Sequence, residues 1–251
     1  MTSLLRQNIA PLGGMAMLFG ETIRQFFRRP FEFELWMEQL YQLGVRSLTI
    51  TNLTVLFTGM VLAVQTAHSL GAYGGEVFLG DIVALSIVRE LGPVLAALVI
   101  AGRVGAGITA ELGTMAVTEQ VDALRVLAAS PVKKLVVPRV GALVLIMPLL
   151  TVLSITLGIF GGLVMAVLQI KQQKVFYMNH VLAALQIEDV CSGVGKTVFF
   201  AVFIGIIACY NGLNATGGAD GVGKATTNTV VMASISVIVS DFFLTKIFLL
   251  I

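Results

Sequence analysis

The sequence predicts an all-α polytopic membrane protein with about five transmembrane helices, and three observations carry that prediction. Of 251 residues, 57% are hydrophobic and only 12% are charged, with a mean hydropathy of +0.95. A soluble domain of this size carries roughly a quarter of its residues as charges to cover its surface. The charges are also clustered, leaving several runs that reach the ~20 apolar residues needed to cross a hydrocarbon core. The whole chain reads as one transmembrane domain over residues 1–251. A formal net charge of +2 is too small to argue for nucleic acid.

Residues 1–46 are mixed rather than spanning. Between Met15 and Arg29, Met17, Phe19, Ile23, Phe26 and Phe27 alternate with Glu21, Arg24, Arg28 and Arg29. Trp36 and Tyr41 follow, so the segment reads as an amphipathic helix in the headgroup region with aromatic anchors. It lacks the order of a cleaved signal peptide, and insertion is expected to rely on the first span. That span runs from Leu48 to Ala67, followed by a Gly-rich connection over Gly71–Gly75 and an acidic turn with Glu76 and Asp81. The next apolar region, Ile82 to Met115, is too long for one straight span. It contains Gly92-Pro93, Arg103 and Glu111, so it is expected to be broken or to leave the hydrocarbon in part. The remaining spans are placed between Leu135 and Leu168, Val194 and Leu213, and Thr229 and Ile251. Asn214–Thr227 reads as a Gly-, Ala- and Thr-rich connection.

Lys and Arg placement sets the orientation. Arg6, Arg24, Arg28, Arg29 and Arg46 precede the first span, and Arg125, Lys133, Lys134 and Arg139 follow the second. Both regions are expected to face the cytoplasm, with the N-terminus inside and the C-terminus outside. The connection carrying Lys171, Lys174, Glu188 and Asp189 then lies outside and is charge-balanced.

Enzyme chemistry is poorly supported. His68 and His180 are the two histidines, and neither has a Cys, Asp or Glu at metal-ligand spacing. Cys191 and Cys209 share one predicted helix about 27 Å apart, too far for a disulfide, and read as packing residues. No G-x-S-x-G or H-E-x-x-H occurs. Gly218 to Lys224 has the G-x-x-x-x-G-K frame without the following Ser or Thr, and Gly195-Lys196-Thr197 has Val190 where the leading Gly belongs. Both abut membrane helices, so ATP binding by this chain is rejected.

Arg89, Glu90, Arg103, Glu111, Lys196 and Asp241 fall in or beside apolar segments, where a charge is costly unless paired or wetted. They form either a polar site in a pathway or structural ion pairs. Lys196 and Asp241 stay open to both readings, while Arg103 and Glu111 read as structural. Residues 117–131 form a cytoplasmic connection in which Thr118 can cap a short helix opened by Glu119 and Asp122. Val121, Leu124 and Leu127 make an apolar stripe beside the carboxylates, and Ser130-Pro131 stops the helix. Such a helix suits docking into a groove on a soluble partner.

Five ordered motifs carry a resemblance: Arg89–Val94 (RELGPV), Ala101–Gly105 (AGRVG), Thr109–Gly113 (TAELG), Glu119–Leu124 (EQVDAL) and Ala225–Val231 (ATTNTVV). Together they resemble the permease subunit of Mla/Mce-type lipid ABC transporters, the MlaE/YrbE family, over nearly the whole chain. The resemblance implies a homodimer docked on a cytoplasmic ABC ATPase that binds ATP and Mg, with no cofactor in this chain. It also implies a Mce-domain lipid-binding protein outside, often a STAS-domain protein on the ATPase, and phospholipid as cargo. Glu119, Asp122 and Leu124 match the family's coupling helix. The lipid cavity is expected near Leu62, Val64, Gln65 and His68, with Arg89, Glu90 and Leu95 close by. The resemblance also implies a bacterial inner membrane, with a plastid envelope as the other setting. An ion-coupled carrier or channel without an ATPase, and a scaffold with no transport path, are the competing classes. A carrier is expected to show internally repeated halves, and none is found.

Overall fold

The computed structural model describes residues 2–27, 33–71, 73–248 and 250, with backbone alone over 2–10. Among the described residues there is no strand, and eight helices follow one another. They are α1 (Thr2–Phe26), α2 (Phe33–Gly71), α3 (Gly75–Val117), α4 (Gln120–Val126), α5 (Val132–Leu168), α6 (Lys174–Ala184), α7 (Ile187–Leu213) and α8 (Gly218–Phe248). Five of these, α2, α3, α5, α7 and α8, are long and apolar enough to cross a membrane. The chain is an all-α polytopic membrane protein. Because α3, α5 and α7 are long spans, α4 sits at one end of the bundle and α6 at the other.

The core divides into two apolar clusters. The larger joins α3, α5, α7 and α8 around Ile100, Leu112, Leu143, Met147, Phe200 and Ile204. The smaller, toward α6, joins α2, α3, α5 and α6 around Val55, Leu79, Val83, Ile87 and Tyr177. Small residues set how close the spans approach. A Cβ on Gly59 would lie 2.0 Å from the Gly158 carbonyl oxygen, and one on Gly161 would lie 2.4 Å from that of Leu56. α2 and α5 therefore meet backbone to backbone, the contact mode that replaces hydrophobic driving force inside lipid. Ser154 adds a hydrogen bond across this seam to Asn52 Oδ1 at 2.9 Å.

Several element boundaries differ from the sequence expectations. The helix that carries the first span begins at Phe33, because Trp36 and Tyr41 continue into α2 through a π-helical stretch, Leu40–Val45. α3 is unbroken over its 43 residues. It absorbs Gly92-Pro93 through a π turn at Ile87–Leu91 and has a second at Ala101–Gly105. Pro93 has no N–H to donate one turn back, and a π turn re-registers the ladder instead of interrupting it. α7 starts at Ile187 rather than Val194, and α8 at Gly218 rather than Thr229. Most of the predicted Gly- and Thr-rich connection is therefore helix, and Gly217 and Gly218 at positive φ make the turn into it. α1 matches the predicted amphipathic helix. Met15 and Thr22 face inward, while Met17 and Phe27 stay exposed. Arg28 and Arg29 lie outside the described residues, as does the side chain of Arg6.

Candidate functional site: a charged cavity and an apolar groove

Lys196 is the centre of the most polar feature in the bundle. It lies in the α6-side half of α7 and is 1% exposed, so its ammonium must find partners inside the protein. Its Nζ donates to both Glu90 carboxylate oxygens at 3.0 Å, to Thr245 Oγ1 at 2.6 Å and to the Arg89 carbonyl at 3.1 Å. Asp241 Oδ1 stands 3.3 Å from the same nitrogen, within ion-pair range, although that oxygen makes no aligned hydrogen bond. α3, α7 and α8 are thus pinned at one point. The Gly-Lys-Thr run that imitates a phosphate loop is mid-helix, and its lysine is spent on this cluster.

Beside it, Arg89 bonds Asp189 through Nε at 2.7 Å and NH2 at 2.6 Å. Asp189 is held in turn by a capping box with Gln186 at the start of α7. The close approach of the two helices requires Gly193, where a Cβ would sit 2.1 Å from the Val88 carbonyl oxygen. Arg89, Glu90, Asp189, Ser192, Lys196 and Thr245 line a cavity of about 250 Å³. Arg89 and Lys196 share this lining with Glu90, Glu188 and Asp189, so the cavity is polar with a slight negative excess.

The residues predicted for the lipid path divide into three places. Val64, Gln65 and His68 line an open, mainly apolar groove of about 500 Å³ on α2, facing Met165 of α5. Arg89 and Glu90 belong to the charged cavity. Leu62 and Leu95 line neither, and pack against the smaller core cluster. Arg103 and Glu111 do not meet each other. Arg103 donates to Ser47 Oγ at 2.5 Å, tying α3 to α2. Glu111 pairs at 2.7 Å with Arg139, which is 4% exposed, tying α3 to α5.

α4 departs from its sequence reading in two ways. Thr118 does not cap it; its hydroxyl turns back to the Thr114 carbonyl at 2.8 Å, and Glu119 takes the N-cap position at φ 61° with no side-chain cap. Nor is the apolar stripe free for docking. Val121 is buried and Leu124 half-buried against the bundle, whereas Val126 and Leu127 are 86% and 76% exposed. An amphipathic stripe on a helix joining two spans is needed first to seat that helix on its own protein. Glu119 and Asp122 remain exposed, and Asp122 pairs with Arg125 at 2.7 Å. Pro131 precedes α5 rather than ending α4, as suits a residue with no N–H to satisfy.

Sequence reasoning missed four partners. Asp189 and Arg139 were read only for orientation, and Thr245 carries no signal at all. His180 Nδ1 meets Asp81 at 3.1 Å, a pairing of residues far apart in the chain.

A family model described as Permease MlaE matches residues 36–247, which holds both cavities and α4. The chain belongs to the MlaE permease family. It is 41% identical over 236 residues to an intermembrane phospholipid transport system permease protein, MlaE, of Haemophilus influenzae, covering 92% of this chain and 88% of that one. A probable ABC transporter permease of Rickettsia typhi is 40% identical over 235 residues, 94% of this chain and 91% of its own. One from Synechocystis is 44% identical over 208 residues, covering 83% and 79%. This MlaE-family protein is therefore an ABC transporter permease, a transport subunit rather than an enzyme.

Proposed function

We propose that this permease moves phospholipid between the inner membrane and a periplasmic Mce-domain partner, driven by a separate ABC ATPase. The observation that carries the reading is the placement of its two polar features at opposite ends of the bundle. At one end α4 exposes Val126 and Leu127 beside Glu119 and Asp122. At the other end a charged cavity and an apolar groove open between the spans. A phospholipid has a charged head and long apolar tails, so both kinds of surface are needed along its route. The relative from Haemophilus influenzae, named for intermembrane phospholipid transport, supports the cargo class.

In this reading α4 faces the cytoplasm and couples to the ATPase, which holds the ATP and Mg. The N-terminus is then cytoplasmic and the C-terminus periplasmic. Two copies of the chain form the membrane unit, with a STAS-domain protein on the ATPase. α8 fits a role between copies, since only Thr229, Ala233 and Val237 of this long helix are buried within one chain, and its exposed face carries Val231, Ile235 and Phe242. Arg89 is the headgroup contact. Its side chain is 43% exposed, and Asp189 holds it until a phosphate displaces that carboxylate.

The test is co-purification of the chain with its ATPase, comparing wild type with Glu119→Lys/Asp122→Lys. The double variant is expected to lose the ATPase or its lipid-stimulated hydrolysis. An ATPase bound and stimulated as in wild type would remove α4 as the docking site.

A further inference from the structure

The charges that line the cavity around Arg89 do not balance within the chain, and the imbalance specifies a ligand. Arg89 engages Asp189 through Nε and Nη2, while its Nη1 donates no hydrogen bond among the described residues. Glu188 lines the same cavity and makes no ion pair or hydrogen bond among the described residues. Lys196 does not answer it, since that ammonium is taken up by Glu90, Thr245 and the Arg89 carbonyl. The cavity is left with one open cationic donor and one open carboxylate.

Asp189 decides between ligands. It is 7% exposed, and Arg89 is its one cation among the described residues; its remaining bond comes from the Gln186 backbone N–H at 3.0 Å. A phosphate that draws Arg89 away leaves a buried carboxylate without a counter-charge, which is strongly unfavourable. An anionic headgroup brings nothing to replace that cation and deepens the negative excess. A bare cation suits Glu188 and Asp189 but gives Arg89 no acceptor. A zwitterion answers both needs. Its phosphate accepts from Arg89 and its ammonium donates to Asp189 and Glu188, so one ion pair is exchanged for two and no charge stands alone. Such charge-assisted bonds are the strong ones. At about 250 Å³ the cavity falls below the ~300–1,000 Å³ of pockets that enclose a drug-sized ligand, so it takes a headgroup and leaves the tails outside.

We infer that this cavity selects a zwitterionic phospholipid headgroup of the phosphatidylethanolamine class over an anionic one. Arg89 holds the phosphate, and Asp189 and Glu188 hold the ammonium. The inference rests on the transport reading for its lipid source and adds to it the charge that the cargo carries at this point.

Native mass spectrometry of the detergent-solubilised complex tests it, after delipidation and re-addition of phosphatidylethanolamine and phosphatidylglycerol in equal amounts. Wild type is expected to retain the ethanolamine lipid over the glycerol lipid by about tenfold. Asp189→Asn keeps an acceptor for Gln186 but removes the charge, and Glu188→Lys places a fixed ammonium on the amine side. Each is expected to bring the ratio to parity or below. Both are first matched to wild type in elution volume and helix content, and Glu188 is exposed, so its variant does not disturb the core. A wild-type ratio at parity overturns the inference, as does a ratio unmoved in both variants, including one where both lipids are lost together. Glycerophosphoethanolamine, the same headgroup without tails, is expected to displace no lipid when added at the lipid concentration. Displacement would assign the cavity to a soluble phosphodiester instead. Binding is read without ATP, so a complex that keeps the preference yet transfers no lipid contradicts the transport reading and supports the headgroup selection.

Discussion

At the scale of single residues, the bundle is organised by charges that each answer to a partner on another helix. Removing one partner of a buried pair leaves the other uncompensated, which costs about 3–5 kcal/mol when both are fully buried. Glu90 is 40% exposed and Asp241 18%, so Lys196→Met is expected to cost less, about 2 kcal/mol. Thermal unfolding of the purified complex should show the loss, with partial recovery in Lys196→Met/Glu90→Gln. A melting curve unchanged by Lys196→Met would mean the cluster does not hold α8. Tyr177 makes the opposite case. It is fully buried on the inner face of α6, its hydroxyl has no hydrogen-bond partner among the described residues, and burial pushes its phenol pKa up. Tyr177→Phe is expected to be neutral or stabilising by about 1 kcal/mol, and a clear drop in melting temperature would contradict that. Arg89, Glu90, Lys196 and Asp241 were legible in the sequence because an ion in an apolar run stands out. Their pairing was not, since Asp189 and Thr245 lie about a hundred or more positions from Arg89 and Glu90, and only the fold brings them together.

At the scale of elements, α4 and the α2–α5 seam make the sharpest claims. α4 is bounded by Glu119 at φ 61° and Ala128 at φ 55°, both left-handed without being glycine. Ala128→Gly should relieve strain of about 1 kcal/mol, raising the melting temperature unless the backbone turns differently there. Val121→Asp and Leu127→Asp separate seating from docking. The first should lower the yield of folded protein, and the second should leave folding intact while weakening ATPase binding in a pull-down. Equal effects would mean α4 has no separate docking face. In the seam, Gly59→Val is expected to prevent α2 and α5 from closing, whereas Gly102→Ala, with open space around it, should be silent. Expression and size-exclusion profiles distinguish them. The five spans and the amphipathic α1 were readable because hydrophobic run length and periodicity are local signals. The continuity of α3 was not. Gly-Pro usually marks an interruption, and only packing on α5, α7 and α8 reveals that a π turn carries the helix through. The face of α4 was misassigned for a similar reason, since periodicity defines an apolar stripe without saying which surface it meets.

At the scale of the whole molecule, one chain leaves much apolar surface uncovered, including Phe57 and Val61 on α2 and Phe242 and Phe243 on α8. Lipid and a second copy both suit such a surface, and the family assignment rests instead on the match of residues 36–247 to the MlaE permease family. The central claim is that a phospholipid leaves or enters the bilayer through this bundle at the expense of ATP hydrolysed elsewhere. Transfer of fluorescent phospholipid between proteoliposomes holding the reconstituted complex and a soluble acceptor tests it most directly. The account predicts transfer that requires ATP, fails with Leu127→Asp and falls with Arg89→Ala. Transfer by the permease alone under an ion gradient, or transfer indifferent to ATP, would contradict it.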